Sequence, residues 1–347
     1  MIMERVLPKA ELKTFVDDLL KHYKVIGPLR KESATANAYL TFGYAARFED
    51  LTLDYHTTAV APKRLLMPDR EVLFGFRQEK GEILLEDPRE KWDGKRVIVG
   101  LHSCDIAALR RLDRVFHERY RDPYYWARRE NTIIVGITCN EPADTCFCNV
   151  VGTGPDPETG FDLLLTDLGD RYFVKAGSEA GESLARAAYF LDAMPEDASS
   201  REGLLDQAAA RFKDHFAVDG LMDAMAEKYD DELWDEFWKR CVTCGTCNIV
   251  CPTCHCFAVL DKTNSDGTEG KRVRVWDSCH FERFARIAGG IDLRPERSSR
   301  FKHRLYDKFY YNPLQYGVPF CVGCGRCVKF CQSEIDLRDA LRKLLEQ

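Results

Sequence analysis

The chain has 347 residues, 45% of them hydrophobic, which is enough for two domains and a sizeable core. A formal net charge of −6 excludes the basic footprint that nucleic-acid binding needs, and no apolar stretch approaches the roughly 20 residues that span a bilayer. The opening MIMERVLPKAELKTFVDDLL alternates charged with apolar residues and lacks a hydrophobic targeting core, so a low-oxygen cytoplasm is the expected compartment; there fifteen cysteines stay reduced and free for metal.

In chain order, residues 1–200 mix strand and helix patterns and predict an α/β domain. Short apolar runs at Leu65–Met67 and Val72–Phe76 read as strands, as does Phe161–Leu165. Arg96–Leu101 (RVIVGL) and Asn131–Thr138 (NTIIVGIT) read as buried strands with the helical pattern DIAALRRLDRVFHERY starting between them at Asp105. That is a βαβ unit, whose strands are parallel and point their carboxyl ends to one sheet edge. Gly177–Met194 reads as an amphipathic helix, and the polar stretch PEDASSREG after it marks the domain boundary near residue 200. Leu204–Arg240 is helical in pattern, with Trp234, Phe237 and Trp238 spaced as core packing.

Residues 201–347 are expected to form a helical, two-cluster ferredoxin-like domain with a long insertion. Cys241, Cys244, Cys247 and Cys251 repeat the spacing of Cys321, Cys324, Cys327 and Cys331. Each is a C-x2-C-x2-C-x3-C run, in which two-residue gaps wrap the backbone around one corner of an iron-sulfur cube and the fourth thiolate reaches the other cube. Cluster A is therefore assigned to Cys241, Cys244, Cys247 and Cys331, and cluster B to Cys321, Cys324, Cys327 and Cys251. Pro252 follows the first run as the motif expects, whereas Gln332 stands after the second. Zinc sites use two-cysteine knuckles more often than four-cysteine runs. The 69 residues between the runs hold a strand in KRVRVWDS, a helix from Phe281 to Gly289 and Gly290, and a basic helix from Pro295 to Phe309, read as a solvated face or a docking face for an acidic partner.

The remaining N-terminal cysteines are Cys104, Cys139, Cys146 and Cys148. Cys104 follows the first βαβ strand and Cys139 the second, so both loops open on the sheet edge where open α/β sheets place ligands. Cys104 also starts a helix, whose positive end favours an anionic thiolate cluster. A third 4Fe-4S cluster on these four thiols competes with the reading that they are buried core cysteines.

The segments GLHSCDIAAL, DPYYWARRENTIIVG, CNEPADTCFCNVVGTGP, GFDLLLTDLGDRYFV, CPTCHCF, WDSCHFERFARIAGG and YGVPFCVGCGRCVKFC cover most of the chain. The chain resembles the beta subunit of cytosolic multisubunit nickel-iron hydrogenases, the sulfhydrogenases, and equally the corresponding iron-sulfur subunit of anaerobic sulfite reductase. The resemblance implies a non-catalytic electron-transfer subunit of an oxidoreductase complex. It would relay single electrons between a flavin subunit that binds NAD(P) and a hydrogenase or sulfite reductase catalytic subunit, with ferredoxin as a further partner. It also strengthens the third cluster.

Cys254, Cys256 and Cys279 are left over, with His255 and His280 beside them. They are read as packing or as S–H donors to a nearby cluster, ahead of a fourth cluster, and His102 as a surface or supporting residue. No catalytic residue is identified: no G-x-G-x-x-G opens a helix, and no nucleophile has a credible base. The competing enzyme reading is a flavin-binding N-terminal domain acting directly on sulfite or polysulfide; a scaffold stapled by its clusters is the third.

Overall fold

The computed structural model describes residues 3–33, 38–91 and 94–346. Among these the strands are β1 (Glu4–Pro8), β2 (Lys24–Lys31), β3 (Tyr39–Tyr44), β4 (Arg70–Glu79), β5 (Glu82–Glu86), β6 (Arg96–Leu101), β7 (Thr132–Ile137), β8 (Leu163–Asp167), β9 (Arg171–Ala176), β10 (Leu191–Asp192), β11 (Phe257–Thr263) and β12 (Glu269–Trp276). The larger sheet runs β10-β1-β9-β8-β7-β6-β2-β3. Its centre, β2, β6, β7 and β8, is parallel, and the strands on either side are antiparallel.

Every residue of β6 is buried, as a strand covered on both faces must be. Val97 and Val99 pack with Phe15 and Leu19 of the helix Leu12–His22 on one face. Ile98 and Leu101 pack with Ile106, Leu109 and Leu112 of the helix Ser103–Val115 on the other. The register between β6 and β7 shifts between Val99 and Leu101, where Gly100 takes φ +89°. A left-handed residue at a bulge bends the strand, and here it directs the chain into His102 and the helix carrying Cys104. The expected βαβ unit is therefore present, with Val97 opposite Ile133 in parallel register.

Several expected elements form differently. Leu65–Met67 is not a strand: Pro62–Leu65 is a 3-10 turn, and Leu66 and Met67 are buried just after it. The helix expected over Gly177–Met194 is confined to Glu179–Leu184. There Gly181 packs so closely on the Asp162 carbonyl that a Cβ would fall 1.7 Å from its oxygen, and the chain then turns to pair β10 with β1. The polar stretch expected as a boundary is the helix Pro195–Ala210, with Pro195 in its first turn and Asp197 accepting from the Met194 N–H. Leu204–Arg240 is not continuous, since after Ala210 the helices are Leu221–Glu227 and Leu233–Trp238, and Gly220 opens the first of them at φ +72°. The helix expected from Phe281 is a set of turns ending in the 3-10 segment Ala288–Gly290. The basic helix spans Arg297–Tyr306 and continues as a π-turn over Asp307–Tyr311.

The second sheet, β11-β12-β4-β5, is antiparallel and joins the hairpin of residues 70–86 to the hairpin between the two cysteine runs. Arg274 of β12 is buried and bridges Glu71 and Asp122, each at 2.5 Å, which ties the two stretches of chain together. The C-terminal core gathers Trp234, Phe237, Phe301, Leu305, Tyr306 and Leu341, with Cys241, Cys321, Cys327 and Cys331 packed against it.

Candidate metal centre

The two cysteine runs fold alike. In each, a glycine after the second cysteine takes a left-handed conformation, Gly245 at φ +75° and Gly325 at φ +68°, and opens a one-turn helix that carries the third cysteine. Only glycine turns there without strain, and the turn folds the thiols to one side. A Cβ on Gly325 would also fall 2.4 Å from the Thr145 carbonyl oxygen, so the N-terminal region is packed directly on the second run.

Tertiary packing then brings the fourth thiol of each run to a cavity lined by cysteines of the other. Cys251 of the first run lines a small cavity, about 20 Å³, with Cys321, Cys324 and Cys327 of the second. Cys331 of the second run lines a small cavity, about 50 Å³, with Cys241 and Cys247 of the first, and Cys327 borders this one too. Cys244 is exposed beside its run. A tetrahedral zinc site with bonds of about 2.3 Å holds its sulfurs within about 4 Å of each other. Among the described residues no three Cys, His, Asp or Glu groups meet in this way. The thiols line the walls of the two cavities, a sulfur-only donor set of the kind that holds an iron-sulfur cubane.

Both cavities face buried cations. Arg304 borders the two of them, donating from Nε to Asn248 Oδ1 at 2.9 Å and from Nη2 to the Cys247 carbonyl at 3.2 Å. Lys308 borders the first, 2% exposed, and its Nζ has no hydrogen-bond acceptor although the Asp307 carboxylate lies at 3.4 Å. Burial alone would lower its ammonium pKa, but Cys254, Asp307 and Cys251 around it raise it. Arg304 is raised by Cys247, Cys327, Cys254 and Cys251 against the same burial penalty. The expectation of a solvated or docking face therefore does not hold for Arg300, Arg304 and Lys308, which are buried. Their i, i+4 spacing was the available signal, since it places three cations on one stripe of the helix. A cation enclosed by thiols and lacking an acceptor suits an anionic cluster, because positive charge and N–H donors stabilise its thiolates and sulfides. His280 presents Nε2 to Cys247 Sγ at 3.5 Å, and burial depresses its pKa to about 3.

The four N-terminal cysteines come together as well. Cys104 is the second residue of the helix Ser103–Val115, Cys139 follows β7, and Cys146 and Cys148 lie in the loop after it. Cys146 and Cys148 share one buried cluster with Cys104 packed against it, and Cys139 lies near enough to add to the raised pKa of the Cys148 thiol. Burial pushes the Cys139 thiol up to about 12. Ser103 Oγ is buried without a partner, and a Cβ on Gly154 would lie 2.5 Å from that oxygen and 2.7 Å from Cys148 Sγ. The set abuts the second run. Cys324 packs with Cys104, the Phe147 N–H donates to the Gly323 carbonyl at 2.8 Å, and Thr153 Oγ1 donates to the Val322 carbonyl at 2.8 Å. Arg326, inside the second run, forms a bidentate pair with Asp105 beside Cys104. No local pattern announces that pair; its partners are 221 positions apart.

His102 is buried, not on the surface, with Nε2 at 3.0 Å from the Tyr55 carbonyl. Cys254 is buried and hydrogen-bonded to Cys251, and Cys279 is buried and hydrogen-bonded to Cys256.

The 4Fe-4S dicluster domain family matches residues 240–335. Over 324 residues, 93% of this chain and 92% of the other, the chain is 36% identical to the Sulfhydrogenase 2 subunit beta of Pyrococcus furiosus. The chain belongs to the sulfhydrogenase beta-subunit family. As a member it is an iron-sulfur electron-transfer subunit that carries 4Fe-4S clusters, with an α/β N-terminal region and a dicluster domain at the C-terminus. No solved structure matches it. Among the described residues no helix is long and apolar enough to cross a membrane.

Proposed function

We propose that twelve cysteines hold three clusters in series: Cys104, Cys139, Cys146 and Cys148, then Cys251, Cys321, Cys324 and Cys327, then Cys241, Cys244, Cys247 and Cys331. The observation that carries this reading is the place of Cys324, a wall of the middle cavity that also packs with Cys104 of the N-terminal set. Cys327 likewise borders both C-terminal cavities. A 4Fe-4S cluster at each position takes and passes one electron at a time.

The protein's own residues do the rest. Arg304 and Lys308 hold positive charge against the thiols, the Asp105–Arg326 pair locks the N-terminal set to the second run, and the apolar wall of Phe147, Val322 and Leu337 keeps water from the middle cavity. In this reading residues 201–347 are a helical two-cluster ferredoxin-like domain carrying an inserted hairpin. The subunit joins a flavin subunit that binds NAD(P) to a hydrogenase catalytic subunit; the relative's name supports that partner over a sulfite reductase.

The test is iron analysis and paramagnetic resonance of anaerobically purified full-length protein. Twelve irons per chain are expected, about eight in Cys139→Ser or Cys148→Ser, and magnetic interaction between signals in the fully reduced wild type. A Cys139→Ser protein that keeps all the wild-type iron would remove the N-terminal cluster from the reading.

A further inference from the structure

Three cysteines stand outside the twelve, and two of them are paired. Cys256 precedes β11 and Cys279 follows β12, at the open end of one hairpin. The register puts Phe257 opposite Trp276, and the Asp277 N–H donates to the Cys256 carbonyl at 2.9 Å, which closes that end. Two residues further on, Cys279 turns its thiol back to hydrogen-bond that of Cys256. Thiols that hydrogen-bond one another lie closer together than two corners of a cube, whose ligands spread around its edges.

We propose that Cys256 and Cys279 form a redox-active dithiol/disulfide couple that exchanges two electrons with the two C-terminal clusters and takes small disulfides as its substrate class. The surroundings divide the labour between the two sulfurs. Cys256 is partly exposed, whereas Cys279 is 5% exposed. The S–H of Cys279 lowers the Cys256 thiol to about 7 against the opposing effect of burial, with Lys308 adding to it. Cys256 is thus the attacking thiolate that a small disulfide meets from solvent, and Cys279 the resolving thiol behind it.

Two routes connect the couple to the metal sites. Asn248 donates from Nδ2 to Cys279 Sγ at 2.9 Å, and its Oδ1 accepts from Cys247 Sγ at 3.7 Å, next to the first-run cavity. Cys254, two residues before Cys256, hydrogen-bonds Cys251 at the middle cavity. The stoichiometry also fits. Cys256 displaces one thiol from the incoming disulfide to give a mixed disulfide, and Cys279 displaces the second thiol to leave a Cys256–Cys279 bond. Two electrons, one from each of two one-electron clusters, and two protons from solvent restore both thiols. The electron supply rests on the cluster assignment above, while formation of the bond does not.

The experiment uses full-length, cluster-loaded protein under argon. Oxidised glutathione is added, free thiols are blocked with N-ethylmaleimide, and the digest is examined by mass spectrometry for a peptide pair joined through Cys256 and Cys279. Coulometric reduction through a viologen mediator then counts electrons. The oxidised wild type should accept two electrons per chain more than Cys279→Ser, at equal iron content. Equal electron counts overturn the couple, as does a joined peptide that uses Cys254 instead. Loss of about four irons in Cys279→Ser overturns it too, by making that thiol a cluster ligand. If the joined peptide forms but the wild type holds only eight irons, the three-cluster reading fails and the couple stands.

Discussion

Replacing Arg326 with methionine tests the joint between the N-terminal thiols and the second cysteine run. The Arg326 side chain is 1% exposed; it donates to the two carboxylate oxygens of Asp105 at 2.7 and 2.8 Å, and to the Thr58 carbonyl and hydroxyl, both at 3.0 Å. Asp105 is equally buried, so Arg326→Met leaves an ionised carboxylate with no counter-charge. Removing one member of a buried pair costs about 3–5 kcal/mol, a large part of the roughly 5–15 kcal/mol that holds a domain folded. Arg326→Met combined with Asp105→Leu removes both charges and should restore most of that loss, because apolar replacement of a whole buried pair is often neutral. Proteins with bound clusters commonly unfold irreversibly, so the measurement is a rate: bleaching of cluster absorbance in guanidinium chloride under argon. If the pair is broken in the unfolding transition state, the single variant bleaches faster by up to about 150- to 5,000-fold, and the double variant by far less. A single variant within about threefold of wild type, or a double variant as fast as the product of the two singles, would refute the reasoning.

Cys251→Ser should perturb the paramagnetic signal assigned through Cys321 and Cys324, and Cys331→Ser the one assigned through Cys241 and Cys247, because the fourth thiol of each run lines the other run's cavity; the opposite pairing would show that each run holds its own cube. Lys308→Met removes a buried cation from the wall of the middle cavity. Since reduction adds negative charge, that cluster's potential should fall, by on the order of 100 mV for a charge at about 7 Å and an effective dielectric of about 20; an unchanged potential in a redox titration would place the cation elsewhere. Gly323→Ala forces a Cβ to within 2.4 Å of the Cys148 backbone nitrogen at φ +58°, so iron should be lost from the N-terminal set and the middle set together. Gly267→Ala, at an open hairpin tip, is the matched control and should keep its iron.

Elements whose cause is local were legible in the sequence. The paired cysteine runs carry their own turn glycines, Gly245 and Gly325, and β6 and β7 announce themselves as unbroken apolar runs. The expected helices failed where a distant contact overrode local pattern. Gly177–Met194 has helical periodicity, but Gly181 is pressed on Asp162 and Leu191 pairs with Val6. Phe281–Gly290 lies next to Ser278, whose hydroxyl accepts from Asn248 Nδ2 at 2.9 Å, and the segment folds as turns. Spacing was enough to nominate the eight C-terminal cysteines and to suggest that the fourth thiols cross over, because the wrap of a run around a cube is set by bonds a few residues apart. The N-terminal four needed the order of the strands as well. Only the tertiary structure decided that Cys324 packs with Cys104, that Arg304 and Lys308 are buried, and that Cys279 hydrogen-bonds Cys256. Periodicity reports which face of an element is buried, but the group that covers that face can be supplied by chain more than two hundred residues away, as Asp105 is for Arg326.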